Sequence, residues 1–289
     1  MIKSGKIIIY PNAERDDGFD VARKVSDILR KRNRETALCP MIGDYNAAGV
    51  SGAGLGMRAL EDELPFAEMI ITIGGDGTML HAARTASVFG IPILGINTGA
   101  KGFMAELEAE DIGLIDYVAD GIYETEDRMM IDAAVLRNGK EVYRDFALND
   151  IVVRGDNKVI DLTLYGDNQK ITQFSGDGAV VATPTGSTAY SMAAGGPIVE
   201  PLARNIIVTP ICAHVLEARS LVLVSDRRVT VEIGYKKNNP AYLSADGGKH
   251  TDLQCGDIVN VQKSKIITQF IRITDRSFYQ RVSEKLGER

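Results

Sequence analysis

The sequence predicts an α/β N-terminal domain built on a parallel sheet, followed by an all-β C-terminal domain of antiparallel strands. Three observations predict it. Apolar strand runs alternate with helical patterns up to about residue 120. From about Tyr123, short strand-like runs follow one another, separated by clusters of Gly, Asn and Asp. The length of 289 residues is enough for about two domains. The expected bounds are 1–122 for the α/β domain and 123–266 for the β domain, with a C-terminal segment 267–289 packing back on the first domain.

Each element has its own warrant. Ile7-Ile8-Ile9-Tyr10, closed by Pro11, is a continuous apolar run that suits a strand buried on both faces. Val21, Val25, Ile28 and Leu29 fall at helical spacing, with Arg23, Lys24, Arg30 and Lys31 opposite, which predicts an amphipathic helix. Ala37-Leu38-Cys39 before Pro40 reads as a short strand, and Met69–Ile73 as the clearest strand in the chain. A helix follows over Thr78–Val88, then a strand over Ile91–Ile96, a loop from Asn97-Thr98-Gly99 and a helix over Ile112–Val118. Such alternation implies parallel strands joined by right-handed crossovers.

The second half reads as strands at Met129–Leu136, Glu141–Phe146, Ile151–Arg154, Leu162–Tyr165 and Gly178–Ala182. Further strands are expected at Leu221–Val224, Val229–Ile233, Ile258–Val261 and Phe270–Ile273, with one helix near Ser187–Ala194. No internal repeat or low-complexity tract interrupts the chain.

Composition narrows the function classes. Apolar residues make up 45% and charged residues 25%, enough apolar content for a packed core. There is no tryptophan and aromatics are only 6%, which argues against a stacking platform for single-stranded nucleic acid. A formal charge of -6 and a pI of about 5.3 argue against a phosphate-backbone footprint. No apolar run approaches the roughly 20 residues of a membrane span, and the apolar run Ile7–Tyr10 is too short for a signal-peptide core. A cytoplasmic protein without membrane or nucleic-acid partners is expected. Cys39, Cys212 and Cys255 are far apart in sequence and read as reduced thiols.

Three stretches carry chemistry. In Gly74-Gly75-Asp76-Gly77-Thr78, two glycines directly after a strand allow a sharp turn and a close approach by a ligand. The helix that follows offers free N–H groups and a positive dipole end to a phosphate. A carboxylate in that turn suits proton removal from a hydroxyl nucleophile or the orientation of a magnesium ion; the bland alternative is ordinary Asp-Gly turn chemistry. The turn is not a P-loop, since no G-x-x-x-x-G-K-[ST] occurs. The glycines Gly49, Gly52, Gly54 and Gly56 fail the dinucleotide fingerprint because Met57 stands where a glycine is needed and no strand precedes them, so a surface loop is expected there.

The second stretch is Ala147-Leu148-Asn149-Asp150, where an amide beside a carboxylate can hold a ring nitrogen or amino group and ribose hydroxyls. A plain turn before the strand Ile151-Val152-Val153 is the alternative. The third runs from Gly176-Asp177-Gly178 through Thr183-Pro184-Thr185-Gly186-Ser187-Thr188-Ala189-Tyr190-Ser191. It is a set of small hydroxyl residues opening a helix, either a polar cradle or simply a well-capped helix start.

Taken together, these stretches resemble the NAD kinase family over nearly the whole chain. The carrying residues are Gly74–Thr78, Asn97-Thr98-Gly99 with Gly102-Phe103, Leu148-Asn149-Asp150, Gly176–Tyr190, Gly195-Gly196-Pro197 and Thr209-Pro210-Ile211, in matching order and spacing. The resemblance implies a Rossmann-like parallel sheet, an antiparallel β-sandwich, and transfer of the terminal phosphoryl group of ATP, or of polyphosphate, to the 2′-hydroxyl of the adenosine ribose of NAD. Asp76 would be the proton acceptor, and Gly74, Gly75, Gly77 and Thr78 the cradle for donor phosphates. The NAD-binding set would be Asp76, Gly77, His81, Phe103, Asn149, Asp150, Asp177, Thr185, Thr188, Ala189, Tyr190, Ala193 and Asp246. Of these, Asn149 and Asp150 would hold adenine and ribose groups, Asp177 would lie towards the nicotinamide half, and Asp246 towards the donor. The family uses magnesium and is oligomeric, so Mg²⁺ and a homodimer or homotetramer are expected; no metal ligand can be named from the sequence.

The chain departs from the family pattern at Asp150, where many relatives have glutamate, and at Met104, where an aromatic is common. Ala213 and Ser220 stand where prolines are common. Three rival functions are weaker. A lipid kinase shares the Gly-Gly-Asp-Gly-Thr turn, but Ile96-Asn97-Thr98-Gly99-Ala100 replaces the Pro-x-Gly-Thr-x-Asn-Asp stretch expected of one. A non-catalytic dinucleotide sensor has no need of Asp76, and a hydride-transfer enzyme needs a glycine fingerprint after Ile7–Tyr10 that this chain lacks. His81 lies one helical turn beyond the glycine turn and either faces the phosphates or is solvated, while His214 reads as a structural histidine.

Overall fold

The computed structural model describes residues 5–16, 19–41, 57–99, 102–215, 218–235 and 239–287. Gly49, Gly52, Gly54, Gly56 and Ala100 lie outside them. The contacts divide the chain into two compact units, Met1–Asp127 with Thr268–Arg289, and Arg128–Ile267.

The first unit begins with β1 (Lys6–Pro11), α1 (Asp20–Lys31), β2 (Thr36–Leu38), α2 (Leu60–Glu63), β3 (Ala67–Gly74), α3 (Asp76–Phe89), β4 (Ile93–Asn97), β5 (Leu107–Glu108) and α4 (Ile115–Ala119). β3 pairs with β1 and with β4, and β1 with β2, all parallel. The apolar runs are continuous because both faces are covered. Ile7, Ile9, Met69, Ile71, Ile73, Leu94 and Ile96 pack with Ala22, Val25 and Leu29 of α1 and with Ile115 and Val118 of α4. α3 lies against β3 and β4 and buries Met79 with Ala82, Ala83 and Ala86, and the three alanines are small enough to let the helix approach closely. α1 has no side-chain bond from its own cap residue; instead Asp16 accepts the Val21 and Ala22 amides at 2.9 and 3.0 Å, satisfying two donors that a helix start leaves open.

The second unit is built from β6 (Glu124–Arg137), β7 (Lys140–Ala147), β8 (Asp150–Gly155), β9 (Ile160–Gly166), β10 (Gln169–Gly176), β11 (Gly178–Ala182), α5 (Tyr190–Ala193), β12 (Asn205–Ile211), β13 (Leu221–Val224), β14 (Val229–Ile233), β15 (Ala241–Ala245), β16 (Thr251–Leu253) and the first part of β17 (Ile258–Arg272). One sheet has the order β13-β12-β11-β8-β15-β16 and the other carries β10-β9-β14-β17 with the β6–β7 hairpin. Alternate residues form the sandwich core, among them Ile151 and Val153, Leu162 and Leu164, Ala179 and Val181, Val229 and Val231, and Val259 and Val261. Val152, Val180, Ala182 and Ile207 point the other way and pack with Tyr190, Ala194 and Val199. The end of β17 returns to the first unit, where Phe270 pairs in parallel with Ile93, and α6 (Phe278–Gly287) follows.

Four differences from the sequence reading have local causes. The strands expected at Ile258–Val261 and Phe270–Ile273 are one strand: Gln262, Lys263 and Lys265 are polar but exposed, and backbone pairing does not need apolar side chains. The helix expected near Ser187–Ala194 is a 3₁₀ turn over Thr185–Thr188 and the four-residue α5, broken by the non-helical backbone of Ala189. The helix expected over Ile112–Val118 is likewise 3₁₀ as far as Leu114 and α-helical only in α4. β12 escapes the reading because Pro210 interrupts it; β13 stops pairing at Val208, so Pro210 sits where β12 no longer has that neighbour.

Candidate functional site

In the first unit the site grows from the end of β3. Gly74 closes the strand, Gly75 caps α3, and Asp76 is the first helical residue. A Cβ on Gly74 would overlap the Thr78 hydroxyl, so this position admits only glycine without rearrangement. A Cβ on Gly75 or Gly77 would meet nothing within 4 Å among the described residues, so the outside of the turn is open. The Thr78 and Met79 amides reach back to the Gly75 carbonyl at 3.0 and 3.3 Å. That leaves the first-turn amides of Asp76 and Gly77 for a ligand at the positive end of a fourteen-residue helix. Thr78 itself is turned inward, 2% exposed, with its hydroxyl taking a 3.3 Å bond from the Asn12 amide.

The Asp76 carboxylate is half-buried and held from the far side. The Phe103 amide donates to Oδ2 at 2.9 Å and the Met104 amide to Oδ1 at 3.1 Å. Gly102 just before them has no side chain to collide with the carboxylate. Phe103 is buried, with the Lys285 ammonium 4.2 Å from its ring centroid. His81 is exposed on α3; its Nδ1 lies 2.6 Å from the Tyr10 hydroxyl and the two rings stack. Burial, with smaller help from Glu61 and Cys39, pushes the Tyr10 phenol above its usual value. The donor in this bond is set by the His81 tautomer: with Tyr10 donating to Nδ1, the ring carries its N–H on Nε2.

In the second unit the centre is the turn between β7 and β8. The Asp246 carboxylate accepts three amides in a row: Leu148 at 2.8 Å, Asn149 at 2.7 Å and Asp150 at 3.2 Å. Asp246 has a left-handed backbone, φ 50°, and its own amide returns to the Asp150 carbonyl at 3.0 Å. Asp246 is thus committed to shaping the turn. The next layer is Thr183, whose amide bonds the Asn149 carbonyl at 2.8 Å and whose hydroxyl bonds the Leu148 carbonyl at 2.5 Å. Gly186 packs so tightly on the Asn149 backbone that a Cβ there would overlap its carbonyl oxygen.

Two polar groups in this turn are buried and unspent. Asn149 Oδ1 has no hydrogen-bond partner among the described residues. Asp150 is 4% exposed; burial first, and the Asp246 charge second, push its carboxyl up to about 7. Around them, Arg128 donates to the Thr185 hydroxyl at 3.3 Å, and the Thr188 hydroxyl bonds the Thr185 carbonyl at 3.2 Å. Tyr190 lies on the apolar face of β8 and β11 and receives Arg154 at 3.3 Å on its hydroxyl. Ala189 borders the same turn and Ala193 is exposed at the end of α5. Gly195-Gly196-Pro197 and Thr209-Pro210-Ile211 meet here: Gly196 leaves room for the Ser191 and Thr209 hydroxyls, which are 2.9 Å apart.

Asp177 is elsewhere. It precedes β11, whereas Thr183 and Thr185 follow it, so the five residues Gly178–Ala182 separate them, about 17 Å of extended chain. His214 is exposed, held by its backbone amide to the Ser175 carbonyl. Cys39 is buried, Cys212 exposed and Cys255 half-buried, and none of the three is in a disulfide. Among the described residues no cluster of three or more His, Cys, Asp and Glu side chains is placed to hold a metal ion. No helix among them is long and apolar enough to cross a membrane. Tyr10, Arg128 and Arg154 were not singled out by sequence reasoning as site residues, because each meets its partner only through the fold; Tyr10 and His81 are 71 positions apart.

The family model for the ATP-NAD kinase N-terminal domain matches residues 57–125, and that for the ATP-NAD kinase C-terminal domain matches residues 148–273. A NAD kinase of Ruminiclostridium cellulolyticum is 34% identical over 287 residues, 98% of each chain. One of Heliobacterium modesticaldum is 39% identical over 280 residues, 96% of each chain. Among solved structures, an NAD kinase from Archaeoglobus fulgidus in complex with ATP aligns with a TM-score of 0.73 at 25% identity, covering 98% of each chain. The fold is also that of yeast NADH kinase complexed with NADH, with a TM-score of 0.83 at 23% identity, covering 98% of this chain and 88% of that one.

Proposed function

Because this chain belongs to the NAD kinase family and phosphorylates NAD with ATP as donor, we propose that Asp76 takes the proton from the 2′-hydroxyl of the adenosine ribose as the phosphoryl group arrives. The observation that carries this is the Asp76 carboxylate at the start of α3, fixed by the Phe103 and Met104 amides. Two donors orient the carboxylate before the substrate binds, and general-base catalysis by such a group is worth about 10²- to 10⁴-fold.

The donor phosphates take the open surface over Gly75 and Gly77, where helix amides are free. Gly74 and Thr78 keep the turn in shape from inside, and His81 offers its Nε2–H to a phosphate oxygen. Polyphosphate presents the same oxygens as ATP and is an alternative donor. A magnesium ion would neutralise charge on the donor phosphates during transfer. Among the described residues no cluster of three or more His, Cys, Asp and Glu side chains is placed to hold it, so the donor's phosphates and water would be its main ligands.

On the acceptor side, Asn149 Oδ1 receives the adenine amino group and Asp150, its carboxyl raised to about 7 and so partly protonated at neutral pH, shares hydrogen bonds with ribose hydroxyls. Thr185, Thr188, Ala189, Tyr190 and Ala193 border the adenosine half. Asp177, at the far end of β11, suits the nicotinamide half of an extended dinucleotide. Asp246 acts by holding the Asn149–Asp150 turn. Cysteines outside any disulfide fit a cytoplasmic setting. A homodimer or homotetramer fits the edge strand β13, where Val222 and Val224 are exposed, and sedimentation velocity reads that state directly.

Asp76→Asn is the deciding variant. NADP formation is expected to fall by about 10² or more while NAD still binds by titration calorimetry. Turnover retained in Asp76→Asn removes Asp76 as the base. The lipid-kinase reading is not favoured, since both domain matches and the full-length relatives are NAD kinases.

A further inference from the structure

The end of the chain closes on the catalytic carboxylate from behind. Glu106 has a fully buried side chain at the centre of this closure. Its Oε2 accepts Arg272 at 3.0 Å and Arg281 of α6 at 2.8 Å. Its Oε1 accepts the Ile273 amide at 3.0 Å, the Thr274 amide at 2.8 Å and the Thr274 hydroxyl at 2.6 Å. Arg272 also donates to the Met104 carbonyl at 3.2 Å and to Glu126 at 3.0 Å. Lys285, one turn beyond Arg281 on α6, puts its ammonium over the Phe103 ring. Apart from the Arg272–Glu126 pair, each of these contacts ends on Phe103, on Met104 or on Glu106, two residues beyond Met104.

A terminal helix that only needed to be pinned could be pinned by apolar packing. Burying Glu106 and Arg281 is costly unless the geometry is well satisfied, and buried charge networks do their best-attested work by fixing one arrangement against near alternatives. Here the arrangement fixed is the peptide that presents two amides to Asp76. A misplacement of about 1 Å at a catalytic group costs on the order of 10²-fold in rate.

We propose that Arg281, acting through Glu106 and Arg272, is a positioning residue for phosphoryl transfer: the last helix sets the Phe103 and Met104 amides on the Asp76 carboxylate. The proposal rests on the reading of Asp76 as the base. It makes residues near the C-terminus part of the catalytic centre without their touching substrate.

The test compares Arg281→Met, Arg281→Lys and Asp76→Asn in the full chain, measuring kcat and KM for NAD with MgATP, and thermal melting. Arg281→Met is expected to lower kcat about tenfold or more, with KM for NAD within about twofold and the protein folded at the assay temperature. Arg281→Lys, which keeps a charge for Glu106, is expected to recover most of kcat. A kcat unchanged in Arg281→Met overturns the proposal. So does a joint loss of kcat, NAD affinity and melting temperature that Arg281→Lys does not repair, which is a structural role only. If Arg281→Met does not fold, the exposed Lys285→Met replaces it: kcat about threefold lower at unchanged KM supports the proposal, and unchanged kcat overturns it. The Asp76→Asn arm separates the two readings. Full turnover there defeats the base assignment itself, whereas collapse there with normal Arg281→Met kinetics defeats only the positioning role.

Discussion

The Asp76 carboxylate occupies the space that a side chain on Gly102 would need. Asp76 opens α3 and Gly102 precedes the two amides that bind its carboxylate, so the pair defines how closely the loop after β4 can approach the helix start.

Gly102→Ala should therefore displace either the carboxylate or its two amide donors. The expected outcome is a fall in kcat of about 10²-fold with little change in overall stability, since Gly102 is outside the core. Steady-state NADP formation and a melting curve check this. Near-normal kcat would mean that the carboxylate has another productive position.

Asp150 should make the second unit less stable as pH rises. Its carboxyl is raised to about 7, chiefly by burial and then by Asp246, against about 3.9 in an unfolded chain. A raised native pKa stabilises fully below pH ~4, and that stabilisation is lost as pH rises through about 7. The difference between the limits is at most about 4 kcal/mol. Asp150→Asn should melt higher than the parent at pH 8 and converge with it at pH 4, while binding NAD more weakly. Parallel melting curves from pH 4 to 8 would rule this out.

Glu106 has the opposite sign. Burial pushes its carboxyl up, but the Thr274 hydroxyl, the Arg272 charge and the Thr274 and Ile273 amides outweigh that and hold it below its ordinary value. The stabilisation is present above the unfolded value of about 4.3 and lost as pH falls through the lower native value. Glu106→Gln leaves Arg281 buried without its counter-ion and should cost about 3–5 kcal/mol at pH 7. Urea unfolding should show the gap between parent and variant narrowing in acid. A gap independent of pH would contradict the ion-pair account.

Tyr10→Phe removes the hydrogen-bond partner of His81 Nδ1. One lost hydrogen bond of about 1 kcal/mol corresponds to roughly a fivefold rise in KM for substrate. His81→Ala should cost more, and the double variant should cost no more than His81→Ala, because Tyr10 acts only through His81. Additive losses would mean that the two residues work separately.

Much of this was legible in the chain itself. The glycine turn at 74–78 could be read because its parts are adjacent: a strand run, two glycines, a carboxylate and a helix start. The strand β10 and the helix α6 went unread because neither Gln169–Gly176 nor Phe278–Gly287 has a long apolar repeat. β10 is held by its pairing to β9. α6 is anchored by buried Arg281 on Glu106, a polar contact that hydrophobic periodicity does not register. Asp246 shows the limit at the site. The family resemblance implied an approach to the donor; the fold adds that its carboxylate accepts amides 96 to 98 positions earlier.

The sequence by itself determined the family, the order of strands and helices around the glycine turn, and the identity of the groups that carry chemistry, because those signals are local in the chain. The tertiary structure decided what each group is free to do. It placed two amides on Asp76, spent Asp246 on a turn, left Asn149 Oδ1 without a partner among the described residues and raised the Asp150 carboxyl. Those properties depend on burial and on partners distant in sequence, and folding alone brings such partners within hydrogen-bonding distance.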